Sequence, residues 1–505
     1  MKPIKLALNI ALILLAGCST AALSDRAGDE GAAAFASDWP MRKSAGGGDA
    51  VMEARIASIL AEMTLEQKVG QMTQAEIRYI SPEEVRQYYI GSILNGGGAW
   101  PRMDKHALVA EWAALSDAYY RASMSTDMKT PVPIIWGTDA VHGHNNVAGA
   151  TMFPHNIGLG AARDPDLIMR IGRATAKAVR ATGITWAFAP TLAVGKNQRW
   201  GRAYESYSSD PEIVAQYGDA LIRGLQGDLI GDGDVIATAK HYLGDGGTFN
   251  GKDQGETRAS LAEMINEHAA GYYAAIDAGV QTVMASYNSW NDIHGGKNYG
   301  KMHGNRELLT DVLKGRMGFD GFVVSDWNAI EQVPGCARDR CAQAINAGVD
   351  MVMVPEDWKT FIANTVEDVR AGAIPTSRID DAVTRILRVK MRAGLFDRPP
   401  SAGAYNGRAD AIEASELARE AVRKSVVLLK NDGGALPLAR DRKILVVGAS
   451  ADSFSNQTGG WSLTWQGDEN VNADFMTGET LLGALRKALG AGNIVYSVDG
   501  QGVEP

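Results

Sequence analysis

The chain has 505 residues, 45% hydrophobic and 22% charged, which is ordinary for a globular protein and enough for a large catalytic domain plus a second one. A formal charge of -9, with no cluster of Lys and Arg to override it, argues against a nucleic-acid partner. The cysteines and histidines show no zinc-ligand spacing, so neither a catalytic metal nor a cofactor is expected.

Residues 1–18 carry Lys2 and Lys5 ahead of an apolar run from Leu6 to Leu15, too short to cross a bilayer and typical of an export signal. The run ends Leu15-Ala16-Gly17-Cys18, which resembles the bacterial lipobox, in which the cysteine becomes the lipidated first residue. Simple cleavage with Cys18 incidental is the alternative. Such a chain sits in the periplasm, with a lipid anchor as its only membrane contact, and meets an oxidising compartment. Cys336 and Cys341, in Cys-Ala-Arg-Asp-Arg-Cys, are close enough for a short-loop disulfide there. Residues 19–50 are rich in Ala, Gly, Ser and Asp and read as a flexible tether. Folding is expected from Val51, with an amphipathic helix marked by Ile56, Ile59, Leu60 and Met63 and a capping box from Thr64 to Gln67 opening the next.

From there to residue 396 short apolar runs alternate with amphipathic stretches. The runs are Ser92–Leu94, Pro133–Trp136, Ile184–Phe188, Val235–Ala237, Val280–Ala285, Phe322–Val324 and Met351–Val354. Their spacing, roughly 30 to 50 residues with helices between, predicts an α/β fold with a parallel sheet closed as a (β/α) barrel. An open doubly wound sheet is the alternative, disfavoured because no Gly-x-Gly-x-x-Gly turn follows the first run.

Phe322-Val323-Val324 reads as a strand buried on both faces, and Asp326 stands where it ends. A carboxylate at the carboxyl end of a barrel strand suits nucleophilic or acid/base work, and capping of the next helix is the competing reading. Polar residues follow the other runs too: Asn95-Gly96-Gly97, Asp139 with His142 and His144, Arg199 with Arg202, Lys240-His241, Tyr287-Asn288 and Glu356-Asp357. On one barrel rim they would supply carboxylates, donors and aromatic faces, the combination a sugar needs for its hydroxyls and its C–H faces.

Asp139-Ala-Val-His-Gly-His-Asn-Asn, Arg199-Trp-Gly-Arg-Ala-Tyr-Glu-Ser-Tyr, Lys240-His-Tyr-Leu-Gly-Asp-Gly-Gly and Gly321-Phe-Val-Val-Ser-Asp-Trp resemble glycoside hydrolase family 3. The nearest likeness is to its exo-acting β-glucosidases and β-glucan glucohydrolases. Arg378 to Lys390, Ala421 to Asn431 and Gly459 to Gly467 extend the likeness. The resemblance implies a retaining hydrolase acting on β-linked glucosides or gluco-oligosaccharides, with Asp326 as nucleophile and a second carboxyl group as acid/base. It implies that Asp139, Arg202, Lys240, His241 and Tyr287 hold the nonreducing sugar, and that Trp327 and Trp465 clamp the leaving sugar. Lys240 beside a carboxylate would lower its pKa. The chain departs from the likeness at Gln254 and Gln332, where Glu and Arg are expected. The hexosaminidase branch is excluded because no Asp-x-His pair follows Lys240-His241.

Residues 397–425 begin with a Pro- and Gly-rich stretch and read as a linker. Residues 426–505 read as a partial α/β sandwich, with a buried strand at Lys443–Val447, a helix at Thr480–Leu489 and a strand at Asn493–Ser497. At about 80 residues it is small for such a unit, so C-terminal truncation is expected, and the resemblance implies that the acid/base residue lies beyond the chain. Neither Glu469 nor Glu479 sits in a motif that would replace it. A catalytically silent sugar-binding lipoprotein, or an unstable fragment, is the competing expectation.

Overall fold

The computed structural model describes residues 34–501, so the export signal and Cys18 lie outside the described residues. Among the described residues no helix is long and apolar enough to cross a membrane. Among the described residues eleven strands precede residue 400: β1 Thr73–Glu76, β2 Ser92–Asn95, β3 Ile135–Thr138, β4 Trp186–Ala187, β5 Ile236–Tyr242, β6 Glu256–Arg258, β7 Thr282–Ala285, β8 Ser289–Asp292, β9 Lys297–Lys301, β10 Phe322–Val324 and β11 Val352–Met353. Eight of them form one parallel sheet in the order β10-β7-β5-β4-β3-β2-β1-β11. A parallel bridge from Val324 to Met351, with the Asp350 amide on the Val323 carbonyl at 2.8 Å, draws its two ends together. The open doubly wound sheet is thereby excluded, and β6, β8 and β9 form a separate small sheet.

Seven of the eight barrel strands coincide with the apolar runs. The one without a run, β1, reads Thr-Gln-Ala-Glu, and all four residues are fully buried. Its polar side chains find internal partners: Thr73 Oγ1 donates to the Val69 carbonyl, Gln74 Nε2 to Ser92 Oγ, and Glu76 accepts from Arg78. A buried polar group costs little once its hydrogen bonds are made, so nothing in the run of residues betrays the strand.

The barrel interior is filled. Trp186 packs edge-on against Phe188 and Phe322 at 4.8 and 5.3 Å, and its indole N–H reaches the hydroxyls of Thr238 and Thr282. Gly137 on β3 makes room for them, since a Cβ there would fall 2.3 Å from the Phe188 ring. With the interior packed, the opening for a ligand is at the carboxyl ends of the strands.

The stretches read as a flexible tether and as a linker are both docked. In the tether, Trp39 is buried, Arg316 donates to its carbonyl, and Phe35 packs on Tyr299 at 5.2 Å; an indole and a phenyl ring outweigh the surrounding small residues. In the linker, a helix at Ser415–Ser425 buries Ala421, while Lys424 pairs with Asp164 at 2.5 Å and Glu420 with Arg170 at 2.6 Å.

Beyond it, β12 Ile444–Val447 and β13 Ile494–Ser497 pair in parallel, and the helix Leu481–Leu489, capped by Thr480, covers one face through Leu482. The strand at 443–447 is not buried as expected: Leu445 and Val447 are each 51% exposed, because the helix covers only the side that holds Ile444 and Val446.

Candidate active site

Asp326 follows β10 by two residues and is held from both sides. Its amide donates to His303 Nε2 at 3.1 Å, and its Oδ1 accepts the Trp327 amide at 2.7 Å. Ser325 Oγ accepts the Met353 amide at 2.8 Å and ties this strand end to β11. The helix-cap reading does not apply, since the next helical turn, Ala329–Gln332, starts after Asn328. The other oxygen, Oδ2, lies 3.8 Å from His241 Nε2.

His241 sits in β5 between two fixed partners. Its Nδ1 is 2.8 Å from Asp245 Oδ2, and its Nε2 is 3.1 Å from an N–H of Arg202. A guanidinium only donates, so Nε2 must carry a lone pair and the proton sits on Nδ1, facing Asp245. Burial and the cations Arg202 and Lys240 agree, pushing the His241 pKa well below its ordinary value. Its approach to Asp326 is therefore not an ion pair.

Arg202 forks onto Glu205, Nε to Oε1 at 2.8 Å and an NH2 group to Oε2 at 2.9 Å. Trp461, from beyond the barrel, donates its indole N–H to Glu205 Oε1 at 3.1 Å. Lys240 is buried and donates to Asp139 Oδ1 at 2.8 Å. Tyr287 gives its hydroxyl to the Trp327 carbonyl at 2.6 Å, and Lys301 on β9 donates to the Tyr287 carbonyl at 2.7 Å.

The two tryptophans meet the rim at one glycine pair. A Cβ on Gly96 would lie 2.9 Å from the Trp327 ring, and one on Gly97 would lie 2.6 Å from the Trp465 Cα. Trp465 is 59% exposed, leaving its ring available to a ligand. The two departures from the family pattern also touch: Gln332 donates to Gln254 Oε1 at 2.7 Å, and Lys301 bonds both residues. Cys336 and Cys341 are joined as a disulfide just beyond, their Cα atoms 4.9 Å apart.

The expectation that Lys240 depresses the central carboxylate holds only as a partial effect. Burial dominates and pushes Asp326 up to about 6, against Arg202, the Trp327 amide and Lys240, which all pull it down. Asp245 rises to about 7, also through burial. The folded protein thus binds these protons more tightly than the unfolded chain. The stability they contribute is complete below about pH 4 and is lost as pH rises through 6 and 7. Asp326→Asn is therefore expected to raise unfolding stability at pH 7.5 by on the order of 1–3 kcal/mol and by much less at pH 4.5. Urea unfolding of the two proteins at both pH values measures this.

Asp139, Arg202, Lys240, His241, Tyr287, Asp326, Trp327 and Trp465 are thus gathered at one end of the barrel. His144 faces away, bonded to Thr182 Oγ1. Glu205, Asp245, His303, Lys301 and Trp461 were not singled out by the sequence. The Arg202 to Glu205 spacing was a readable signal, because residues three apart meet on a helical turn. His303, alone in Lys-Met-His-Gly, gave none.

Residues 64–389 match the model of the glycosyl hydrolase family 3 N terminal domain, and residues 426–499 that of the family 3 C-terminal domain. The lysosomal beta glucosidase of Dictyostelium discoideum is 34% identical over 466 residues, covering 86% of this chain and 55% of that protein. The periplasmic beta-glucosidase of Salmonella typhimurium is 29% identical over 463 residues, covering 88% and 56%. The crystal structure of the exo-1,3/1,4-beta-glucanase ExoP from a Pseudoalteromonas species superposes with a TM-score of 0.87 at 50% identity, covering 92% of this chain and 59% of that one. The chain thus spans little more than half the length of these relatives. With its whole barrel and the segment beyond it matched in order, the chain belongs to glycosyl hydrolase family 3.

Proposed function

We propose that this chain carries the glycosyl-transferring centre of a retaining, exo-acting hydrolase of β-glucosides or β-glucans. The observation that carries the reading is Asp326: a largely buried carboxylate at a strand end, oriented by His303 and the Trp327 amide, with its second oxygen 3.8 Å from His241 Nε2. In the first step Asp326 attacks the anomeric carbon, the bond to the leaving oxygen breaks, and that oxygen takes a proton. In the second, water attacks the same carbon, gives up a proton, and releases Asp326. Asp139, Arg202, Lys240, His241 and Tyr287 bind the sugar in the nonreducing position, and Trp327 and Trp465 take the next one. No cofactor is invoked.

The proton donor is a separate matter. Of the carboxylates gathered around Asp326, Asp139 is held by Lys240, Glu205 by Arg202 and Trp461, and Asp245 by His241. Each of these three is engaged, so among the described carboxylates gathered here we infer a nucleophile without a matched acid/base. The Cys18 motif supports export and a lipid anchor at the outer membrane, in keeping with a relative named as periplasmic. The organisation we propose is a catalytic barrel over 51–396, a connecting segment over 397–425 and a second domain from 426.

The test is stereochemical. Proton NMR of a reaction with an activated aryl β-glucoside in azide-containing buffer should show a β-configured glucosyl azide as the first product. An α-configured product would rule out the double displacement.

A further inference from the structure

The segment 458–465 comes from beyond the barrel, yet it brings Trp461 to Glu205 and Trp465 to Gly97. Two histidines of the barrel, His142 buried and His155 partly buried, receive it. His142 and His155 stack with their ring centres 4.0 Å apart. His155 Nε2 lies 2.9 Å from the Thr458 carbonyl, and His142 Nε2 lies 2.8 Å from the Trp461 carbonyl and 3.4 Å from Ser462 Oγ. His142 Nδ1 meets the Phe153 carbonyl at 2.8 Å. With its proton on Nε2 a neutral His142 donates to the Trp461 carbonyl, with the proton on Nδ1 it donates to the Phe153 carbonyl and can accept the Ser462 hydroxyl on Nε2, and the protonated ring donates to both carbonyls. Either way the ring bridges barrel and segment.

The segment is shaped for this contact. Gly459 and Gly460 let its backbone approach: a Cβ on Gly460 would fall 2.5 Å from the Tyr204 hydroxyl, and one on Gly459 would fall 3.4 Å from His155 Nε2. Trp461 and Leu463 hold left-handed backbone, φ 56° and 59°, which costs free energy in a residue with a side chain and persists only where the surroundings impose it. The Leu463 amide bonds the Asn145 carbonyl at 2.9 Å, and the Trp461 amide closes the turn on the Trp465 carbonyl at 2.8 Å.

We propose that His142 and His155 are positioning residues, a two-ring latch that seats segment 458–465 on the barrel and so sets both the Trp461–Glu205–Arg202 chain and the place of Trp465. The proposal deepens the reading of the site as a glycosidase centre and rests on it for the effect on ligand binding, but not for the latch itself. Nothing in the latch touches Asp326, so its loss weakens the grip on substrate more than the attack by the carboxylate.

Hydrogen–deuterium exchange of the full chain tests the latch without any substrate. In His142→Leu, amides of 458–465 should exchange about tenfold faster or more, the size expected from losing one or two buried hydrogen bonds, while β3 and β10 stay as in the wild type. Inactivation by dinitrophenyl 2-deoxy-2-fluoro-β-glucoside then separates binding from attack. The concentration for half-maximal inactivation should rise about tenfold with the limiting rate changed less than about threefold. If His142→Leu fails to fold, His155→Phe, which keeps the stack and loses the N–H to Thr458, takes its place in both measurements. Wild-type exchange at 458–465 in the folded variant, or a limiting rate that falls as much as the affinity, would overturn the proposal. Absence of inactivation in the wild type would instead count against the glycosidase reading and leave the exchange result to decide the latch.

Discussion

Asp326→Gly is expected to lower release of dinitrophenolate from dinitrophenyl β-glucoside on the order of 10⁴-fold or more, the scale on which covalent nucleophiles act. Removing the carboxylate leaves a gap on the face of the sugar opposite the leaving group. A small anion can fill it. Added azide should therefore restore phenolate release and yield an α-glucosyl azide by one displacement. Asp139, Lys240, Arg202 and His241 keep their mutual contacts in this variant, because their bonds run to each other and not through Asp326. A substitution that merely loosened the rim would lose activity without this stereospecific rescue.

The wild-type chain should behave in the opposite sense toward azide. With dinitrophenyl β-glucoside the leaving oxygen scarcely needs a proton, so a burst of phenolate is expected as Asp326 is glycosylated. The burst should then stall, because Asp139, Glu205 and Asp245 are each engaged and none is free to activate water. Azide needs no base, so it should restart turnover and give the β-glucosyl azide. With cellobiose or laminaribiose the first step does need a proton, and the lack of general acid help should cost about 10²- to 10⁴-fold. Steady hydrolysis of those disaccharides, indifferent to azide, would show that a carboxyl group of this chain or of a partner subunit fills the role.

Legibility in the sequence followed burial chemistry. β10 was read to the residue because Phe-Val-Val is apolar on both faces and ends at Gly321 and Ser325. β1 was invisible because its Gln74 and Glu76 are buried with partners that lie distant in sequence or form only in the fold. The rim residues that follow strands were readable as a set, since a parallel barrel delivers every strand end to one side. What could not be read is which of them bond each other. The ion pair of Lys240 goes to Asp139, 101 residues away, and Glu205, whose pairing with Arg202 was legible, takes an indole 256 residues further on. The net pKa of Asp326 was likewise beyond reach, because it depends on burial outweighing three favourable contacts that only the fold defines. The docked linker and tether show the same limit: composition suggested mobility, while single residues such as Trp39 and Ala421 decide the packing.

The central claim is that Asp326 forms the covalent bond to the sugar, and trapping the intermediate tests it most directly. The full chain is incubated with dinitrophenyl 2-deoxy-2-fluoro-β-glucoside, digested with a protease, and the fluoroglucosyl adduct located by mass spectrometry. The account predicts one labelled peptide, that containing Asp326, with labelling that weakens below about pH 6 as the carboxylate takes up its proton. A label on Asp139, Glu205 or Asp245, or stoichiometric labelling in Asp326→Asn, would contradict it.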